Sequence, residues 1–397
     1  MFTGTGRRAE SALGRSVLAS VLLAGCGGGG YEQMTPYERH LYLEPTDVAT
    51  SRSYDRVAMG HDFSCMLTAK GEAWCWGSNE YGKLGAATSG VCAGGNVPCS
   101  WQAVRAGAPQ LWASLSPGER HSCGLDSAGQ AWCWGFGLGG QLGDGAATSG
   151  VAPTAVAGGH RFVQIDAGRS ALLSCALDDA GAAWCWGAGD LGGLGNGTTD
   201  SSNVPVKVLS PQVFKEVGAG DGHACALDLA GQAWCWGRNG HGKLGLGVSG
   251  IVLVPAPVAG GHRFRSLAVG GQFNCALTLA GQAWGWGNAL NIGDGMAVDR
   301  DVPTAVAGGH VFAGLSASYG HTCGLKADGS AWCWGNVWAL GSGNEDQGYL
   351  PVEVVGGHQF RTVKAGGTAT CGITTAGVPM CWGGNSRGEV GQSNVDR

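Results

Sequence analysis

The sequence predicts an all-β repeat protein, and three observations lead there. The string Ala-Trp-Cys-Trp-Gly recurs at residues 73–77, 131–135, 183–187, 233–237 and 331–335, with variants at 283–287 (Ala-Trp-Gly-Trp-Gly) and 380–384 (Met-Cys-Trp-Gly-Gly). The equivalent first cysteines, from Cys65 to Cys371, follow one another at 48 to 58 residues. Such a period marks stacked supersecondary units, each too small to bury its own apolar face. Within each unit, short β-rich runs alternate with Gly, Asp and Asn, and no stretch carries a helical period. The 76 glycines follow no collagen period, and 44% hydrophobic content suffices for a packed core.

The fourth copy shows the parts in order. Phe214-Lys-Glu-Val217 forms a first strand, His223-Ala-Cys225-Ala-Leu227 a second, and Gln232-Ala-Trp234-Cys235-Trp236-Gly237 a third. A loop with Asn239, Gly242, Leu244 and Gly245 leads to a fourth run, Pro255-Ala-Pro-Val258. Cys225 and Cys235 are symmetric about Ala230, so the hairpin loop has three residues and ends in Gly231. Such loops favour a type I turn followed by a left-handed residue, which glycine supplies without steric penalty. Gly71, Gly129, Gly181, Gly281, Gly329 and Gly377 hold the same offset. Seven glycines at one offset are conformational; they are not ligand loops.

The same symmetry sets Cys225 directly opposite Cys235 on one face of the hairpin. Ten-residue steps repeat in Cys65–Cys75, Cys123–Cys133, Cys175–Cys185, Cys323–Cys333 and Cys371–Cys381. Cys92–Cys99 pairs inside an insertion of the first copy, residues 86–101, and Cys275 is left a free thiol because Gly285 replaces its partner. Cross-strand disulfides are expected, with buried thiols or zinc ligation as alternatives. Zinc wants gaps of two to four residues and four convergent ligands, so no metal site is expected.

Thirteen of the 16 tryptophans lie in the motifs. Strand alternation puts Trp234 and Trp236 on one face and Cys235 on the other, which assigns the indoles to packing between sheets. His61, His121, His223 and His321 recur ahead of the first hairpin cysteine, and His160, His262, His310 and His358 recur in Gly-Gly-His. A catalytic histidine is not needed four times, so both sets are expected to be structural. Two Gly-x-Gly-x-x-Gly strings, at 135–140 and 187–192, precede no helix and lack the dinucleotide context. Asp144 and Asp294, in Gly-Asp-Gly, are turn residues; calcium would want more carboxylates nearby. No acid pair or nucleophile–base pair stands outside the repeat positions. No catalytic residue and no cofactor is expected.

The formal charge is −5, and no basic block of five or more residues occurs. Nucleic acid is therefore not an expected partner. At the N-terminus Arg7, Arg8 and Arg15 precede a ten-residue apolar run, residues 16–25. Ten residues cannot span a bilayer, which needs about 20, so 1–25 is expected to be a cleaved secretory signal. Leu23-Ala-Gly-Cys26 further resembles the bacterial lipobox, which implies lipidation of Cys26 and a tether over 26–42. A plain secretory signal is the alternative. The expected location is the bacterial envelope, outside the cytoplasm, on the outer membrane or cell surface, with the membrane touched only through the lipid.

Taken together, Val-x-Ala-Gly, His-x-Cys-Ala-Leu, Gly-x-Ala-Trp-Cys-Trp-Gly, Asn-x-x-Gly-x-Leu-Gly and Pro-x-x-Val resemble the regulator-of-chromosome-condensation repeat, from about Leu43 to Arg397. The resemblance implies a seven-bladed β-propeller over 43–397, of about four antiparallel strands per blade. The last copy lacks a Pro-x-x-Val strand, while an orphan Pro45-Thr-Asp-Val48 precedes the first. Pairing the orphan with the last blade would close the ring and remove two free edges.

Nuclear members of the family are exchange factors for a small GTPase, a role that suits an exported chain badly. Some secreted bacterial members inhibit β-lactamases by offering one propeller face. The expected function is a monomeric, non-enzymatic module that binds an unknown protein partner through inter-strand loops. The alternatives are a glycan-binding or hydrolytic propeller and, by analogy alone, guanine-nucleotide exchange. Where repeat positions are architectural, function belongs to what varies after Trp-Gly, because loops carry binding residues. The residues expected to touch a partner are Glu80, Tyr81, Trp101, Phe136, Leu138, Asp190, Leu191, Arg238, His241, Leu290, Trp338 and Arg387.

Overall fold

Each copy folds into one antiparallel sheet, and the sheets follow one another along the chain as seven blades. The computed structural model describes residues 41–391 apart from 49, 93–95, 170–171 and 346–347. Residues 1–40, with the signal and Cys26, and residues 392–397 lie outside the described residues. Blade four runs through Phe214–Ala219, His223–Asp228, Ala233–Arg238 and Ile251–Pro257, in that spatial order. Cys225 faces Cys235 across the second and third strands, and Gly231 closes the hairpin at φ +82°. The seven first strands touch their neighbours around the ring, that of blade seven (Phe360–Ala365) against that of blade one (Arg56–Met59).

Blade seven has three strands of its own, and Leu41–Asp47 supplies the fourth, with Leu41 opposite Gly384 and Asp47 opposite Met380. The ring closes as expected. The closing strand starts two residues earlier than Leu43 and takes in Leu41 and Tyr42. Blade one departs from four strands: within its insertion, Gly90–Cys92 adds a fifth strand beside Val97–Arg105.

Seven apolar clusters form the core, each across one blade interface. Between blades three and four, Trp236 packs on Cys175, Cys185, Leu194 and Val208, with Trp234 partly buried alongside. The cysteine face of one blade thus meets the tryptophan face of the next, the two-sided use that strand alternation predicts. Cys65–Cys75, Cys123–Cys133, Cys175–Cys185, Cys225–Cys235, Cys323–Cys333, Cys371–Cys381 and Cys92–Cys99 are disulfide-linked, and Cys275 is a buried thiol. Burying one indole removes on the order of 200 Å² from water, a gross gain of about 5 kcal/mol.

Hydrogen bonds fix the rotation of each blade on its neighbour. The second indole of the motif donates to a carbonyl of the preceding blade: Trp134 to Lys83 at 3.0 Å, Trp186 to Gln141 at 2.9 Å, Trp382 to Ala339 at 3.0 Å. Trp286 has no such acceptor, and at its seam Asn274 donates to the Lys243 carbonyl at 2.6 Å. His121, His223 and His321 reach across alternate seams to Ser174 (2.8 Å), Asn274 (3.3 Å) and Thr370 (2.7 Å). His160 lies 4.0 Å from the Trp184 ring and covers its exposed side.

His61 does not belong with these three. It stands four residues before its cysteine rather than two, and Phe63 fills the buried position in blade one.

Candidate functional site

The turns between first and second strands and the loops after Trp-Gly lie on the same face. Every blade ties them together through one backbone bond, such as Phe136 N–H to Arg120 carbonyl at 2.9 Å and Arg238 N–H to Gly222 carbonyl at 2.8 Å. Both rings of loops are thereby fastened to the sheet rather than hanging from it. Hairpin tips and Gly-Gly-His connections occupy the opposite face.

The inner ring surrounds the mouth of the central channel. Its turns bond from blade to blade: His61 N–H to Gly118 (3.1 Å), Glu119 to Gly168 (3.3 Å), Asp221 to Gly271 (3.1 Å), Gly271 to Ser318 (3.0 Å) and Gly367 to Gly60 (3.0 Å). A recess of about 360 Å³ opens there, lined by His61, Glu119, Arg120, Leu172, Asp221 and Tyr319. His61 and Tyr319, from blades one and six, stand edge to face with centroids 5.5 Å apart. Arg169 reaches from blade three to the Met59 carbonyl of blade one at 3.1 Å, across the channel.

Buried polar groups prop these turns from below. Lys83 pairs with Asp62 and donates to the Glu119 carbonyl at 3.1 Å. Lys243 donates to the Asp221 carbonyl at 2.6 Å and to Gln272 at 3.0 Å, and burial lowers its ammonium pKa to about 8. Glu389 occupies the same repeat position in blade seven. It accepts from Thr368 at 3.1 Å and from the Arg387 N–H at 2.7 Å, and burial raises its carboxyl to about 7.

The outer ring holds the residues expected from sequence, in blade order. Tyr81 and Phe136 meet across blades one and two with centroids 4.7 Å apart, and the Arg120 guanidinium lies 5.9 Å from the Phe136 ring. Leu138 is 64% exposed, and Asp190, Arg238 and Trp338 are also exposed. Glu80, Leu191, Leu290 and Arg387 are half-buried. His241 pairs with Asp299 of the next blade at 2.8 Å. Among the described residues, Tyr81 and His241 are the non-glycine residues with left-handed backbones, φ +61° and +59°, a conformation that costs about 1–2 kcal/mol. Trp101 is not on a loop. It sits within the strand Val97–Arg105 and covers Gly388 of blade seven, so its contact is between blades.

The inner ring was not anticipated from sequence, although its signal is there. The residue after the turn glycine (Ser318 in blade six) changes from blade to blade: His61, Glu119, Arg169, Asp221, Gly271, Tyr319 and Gly367. That variability follows a glycine in six of the seven blades, much as the other variable positions follow Trp-Gly. Among the described residues, no three His, Cys, Asp or Glu side chains gather where they could hold a metal ion.

Two family models, both described as regulator of chromosome condensation (RCC1) repeat, match the chain. One covers residues 180–227 and 230–277, and the other 55–83, 214–243 and 312–336. Human E3 ubiquitin-protein ligase HERC2 is 31% identical over 170 residues, which is 41% of this chain and 3% of that protein. The probable human E3 ubiquitin-protein ligase HERC4 is 30% identical over 180 residues, 42% of this chain and 16% of that protein. The chain thus matches only a small part of either relative.

Solved structures agree on the fold. Human WBSCR16 superposes with a TM-score of 0.73 at 19% identity, covering 86% of this chain and 89% of that one. Yeast RCC1 (Prp20) bound to Kap60 gives 0.69 at 20% identity, covering 94% and 96%.

Proposed function

We propose that this propeller of regulator-of-chromosome-condensation repeats is a non-enzymatic interaction module, binding a protein partner through the face that carries the channel mouth and the loops after Trp-Gly. One observation supports it most: the positions that differ between blades gather on that face, and the repeated ones serve the seams. Tyr81, Phe136 and Trp338 are aromatic side chains on fastened loops, the kind of anchor that dominates protein interfaces. Two of the loop positions, Tyr81 and His241, keep a side chain where glycine would be relaxed. A side chain retained at such a cost points to use. Yeast RCC1 (Prp20), similar in fold, has been solved with the protein Kap60 bound, which lends the reading weight by analogy. We further propose display on a bacterial envelope through a lipid on Cys26.

The test is recovery of a partner from envelope extract by three forms of the chain: wild type, Tyr81→Ala/Trp338→Ala, and Leu229→Ala/Leu279→Ala at hairpin tips of the opposite face. The same protein should come down with the first and third and fall at least tenfold with the second. Retention by the second form, or turnover of a glycan or peptide by the purified chain, would overturn the proposal. Anchoring is tested separately: a Cys26→Ala form should leave the membrane fraction.

A further inference from the structure

We infer that the recess at the channel mouth receives one cationic side chain, an arginine or lysine carried on a projecting loop of the protein partner. The inference rests on the interaction reading above and names what the centre of that face recognises.

Size comes first. A recess of about 360 Å³ admits a long side chain, whereas a helix about 10–12 Å across would stop at the rim.

The lining has the chemistry of a cation site. Glu119 of blade two and Asp221 of blade four line it with Leu172 of blade three, and His61 and Tyr319, edge to face with each other, complete the lining. Carboxylates bond guanidinium and ammonium groups with charge assistance, and aromatic faces attract them. Each carboxylate keeps acceptor capacity beyond the one side-chain partner it has. Asp221 makes no ion pair among the described residues: Gln272 donates to its carboxylate, and Lys243 goes to its backbone carbonyl. Glu119 has only Arg120, at 3.4 Å on open surface, where such a pair is worth little. Arg120 also leans toward the Phe136 ring. Arg120 is the one Lys or Arg of the lining itself; beneath it, Lys83 is paired with Asp62 and Lys243 is held on the Asp221 carbonyl and Gln272, so the groups lining the recess are two carboxylates and one guanidinium.

The neighbouring turns keep the recess open. Gly367 leaves blade seven bare, because a Cβ there would lie 2.5 Å from His61 Cδ2 and 2.4 Å from its carbonyl oxygen. Any larger residue would push His61 off the blade and away from Tyr319. Arg169 could have filled the recess, yet its guanidinium points below, to the Met59 carbonyl and toward Asp166 at 3.9 Å. The blade-to-blade backbone bonds hold the turns in place before a guest arrives, which lowers the ordering cost of binding.

The experiment titrates the purified chain with Nα-acetyl-arginine methylamide and, in parallel, its neutral isostere built on citrulline. The His61 and Tyr319 ring signals are followed by NMR. The arginine probe should shift both signals saturably, the citrulline probe at least tenfold more weakly, and the Glu119→Gln/Asp221→Asn form should respond to neither. Equal responses to the two probes, or no response to either, would sink the inference, and this comparison needs no variant to fold. The partner separates the two levels. Unchanged partner capture by Glu119→Gln/Asp221→Asn, with equal probe responses, defeats the recess and leaves the interaction face. Arginine-selective binding without any partner lost from the rim variant does the reverse.

Discussion

Three histidines sit where a proton has no place. His121, His223 and His321 are fully buried at alternate seams, and burial lowers their imidazoles to about 4, 3 and 4. In the unfolded chain each returns to about 6.5. Between about pH 6.5 and 4 the unfolded chain therefore binds protons that the folded one excludes, and stability falls as pH drops through that window. Glu389 works the other way. Its carboxyl is raised to about 7, so the folded chain keeps a proton that the unfolded chain loses above about 4.5, and stability falls as pH rises toward 7. With three groups against one, thermal midpoints should drop steeply as pH falls below about 6.5. His223→Gln should flatten the acid arm, and Glu389→Gln, by removing the one opposing contribution, should steepen it. A wild-type midpoint that stays level from pH 7 to 4.5 would contradict this. That these histidines are structural was legible from their recurrence. Their partners were not, because Ser174, Asn274 and Thr370 lie about one full repeat away. His61 was misplaced for a related reason: it shares a residue type with the other three but not their offset from the cysteine.

The hairpin is the element that sequence describes best. Loop symmetry, the glycine offset and the opposed cysteines all derive from spacing, and the register of every central hairpin follows that spacing. Blade five shows the same element with parts missing. Gly285 stands opposite Cys275, and the indole nitrogen of Trp286 lacks an acceptor. Its thiol is buried and its pKa raised to about 12, so Cys275 should resist alkylating reagents until the chain unfolds. In a Cys26→Ser form without reductant, a thiol assay should read none when native and one when denatured; two or more would refute hairpin oxidation. Gly285→Cys should then bring the denatured count to none. A Cβ at 285 would sit 3.0 Å from the Ile292 carbonyl oxygen, so that segment must shift by a few tenths of an ångström. The new cross-link should add about 2 kcal/mol less that strain, read as a higher thermal midpoint.

At the scale of the whole ring, the chain divides into repeated positions that build seams and varied positions that gather on one face. Half of that division was readable: Tyr81, Phe136 and Trp338 stood out after a conspicuous motif. The inner ring escaped notice because one residue per blade, next to Gly60 or Gly220, looks like ordinary turn variation until curvature brings seven turns to a common centre. Closure was readable from the orphan Pro45–Val48 run, and it makes the ring a single mechanical unit. Leu41–Asp47 covers the edge of Pro379–Gly384, Val48 bonds to the Pro379 carbonyl at 2.9 Å, and Gly343 N–H bonds to the Leu43 carbonyl at 3.1 Å. Tyr42 and Val48 join the cluster around Trp76 at the blade seven–blade one seam. Removing residues 1–47 would free a strand edge and strip one side of that seam. The lost ladder bonds and apolar burial come to on the order of 5 kcal/mol, and the bare edge is a template for pairing with another chain. Compared with a chain starting at Leu41, the shortened form should melt about 7 °C lower and elute as a concentration-dependent oligomer. An unchanged midpoint and a monomeric profile would mean that the seams alone hold the ring, with the closing strand adding nothing.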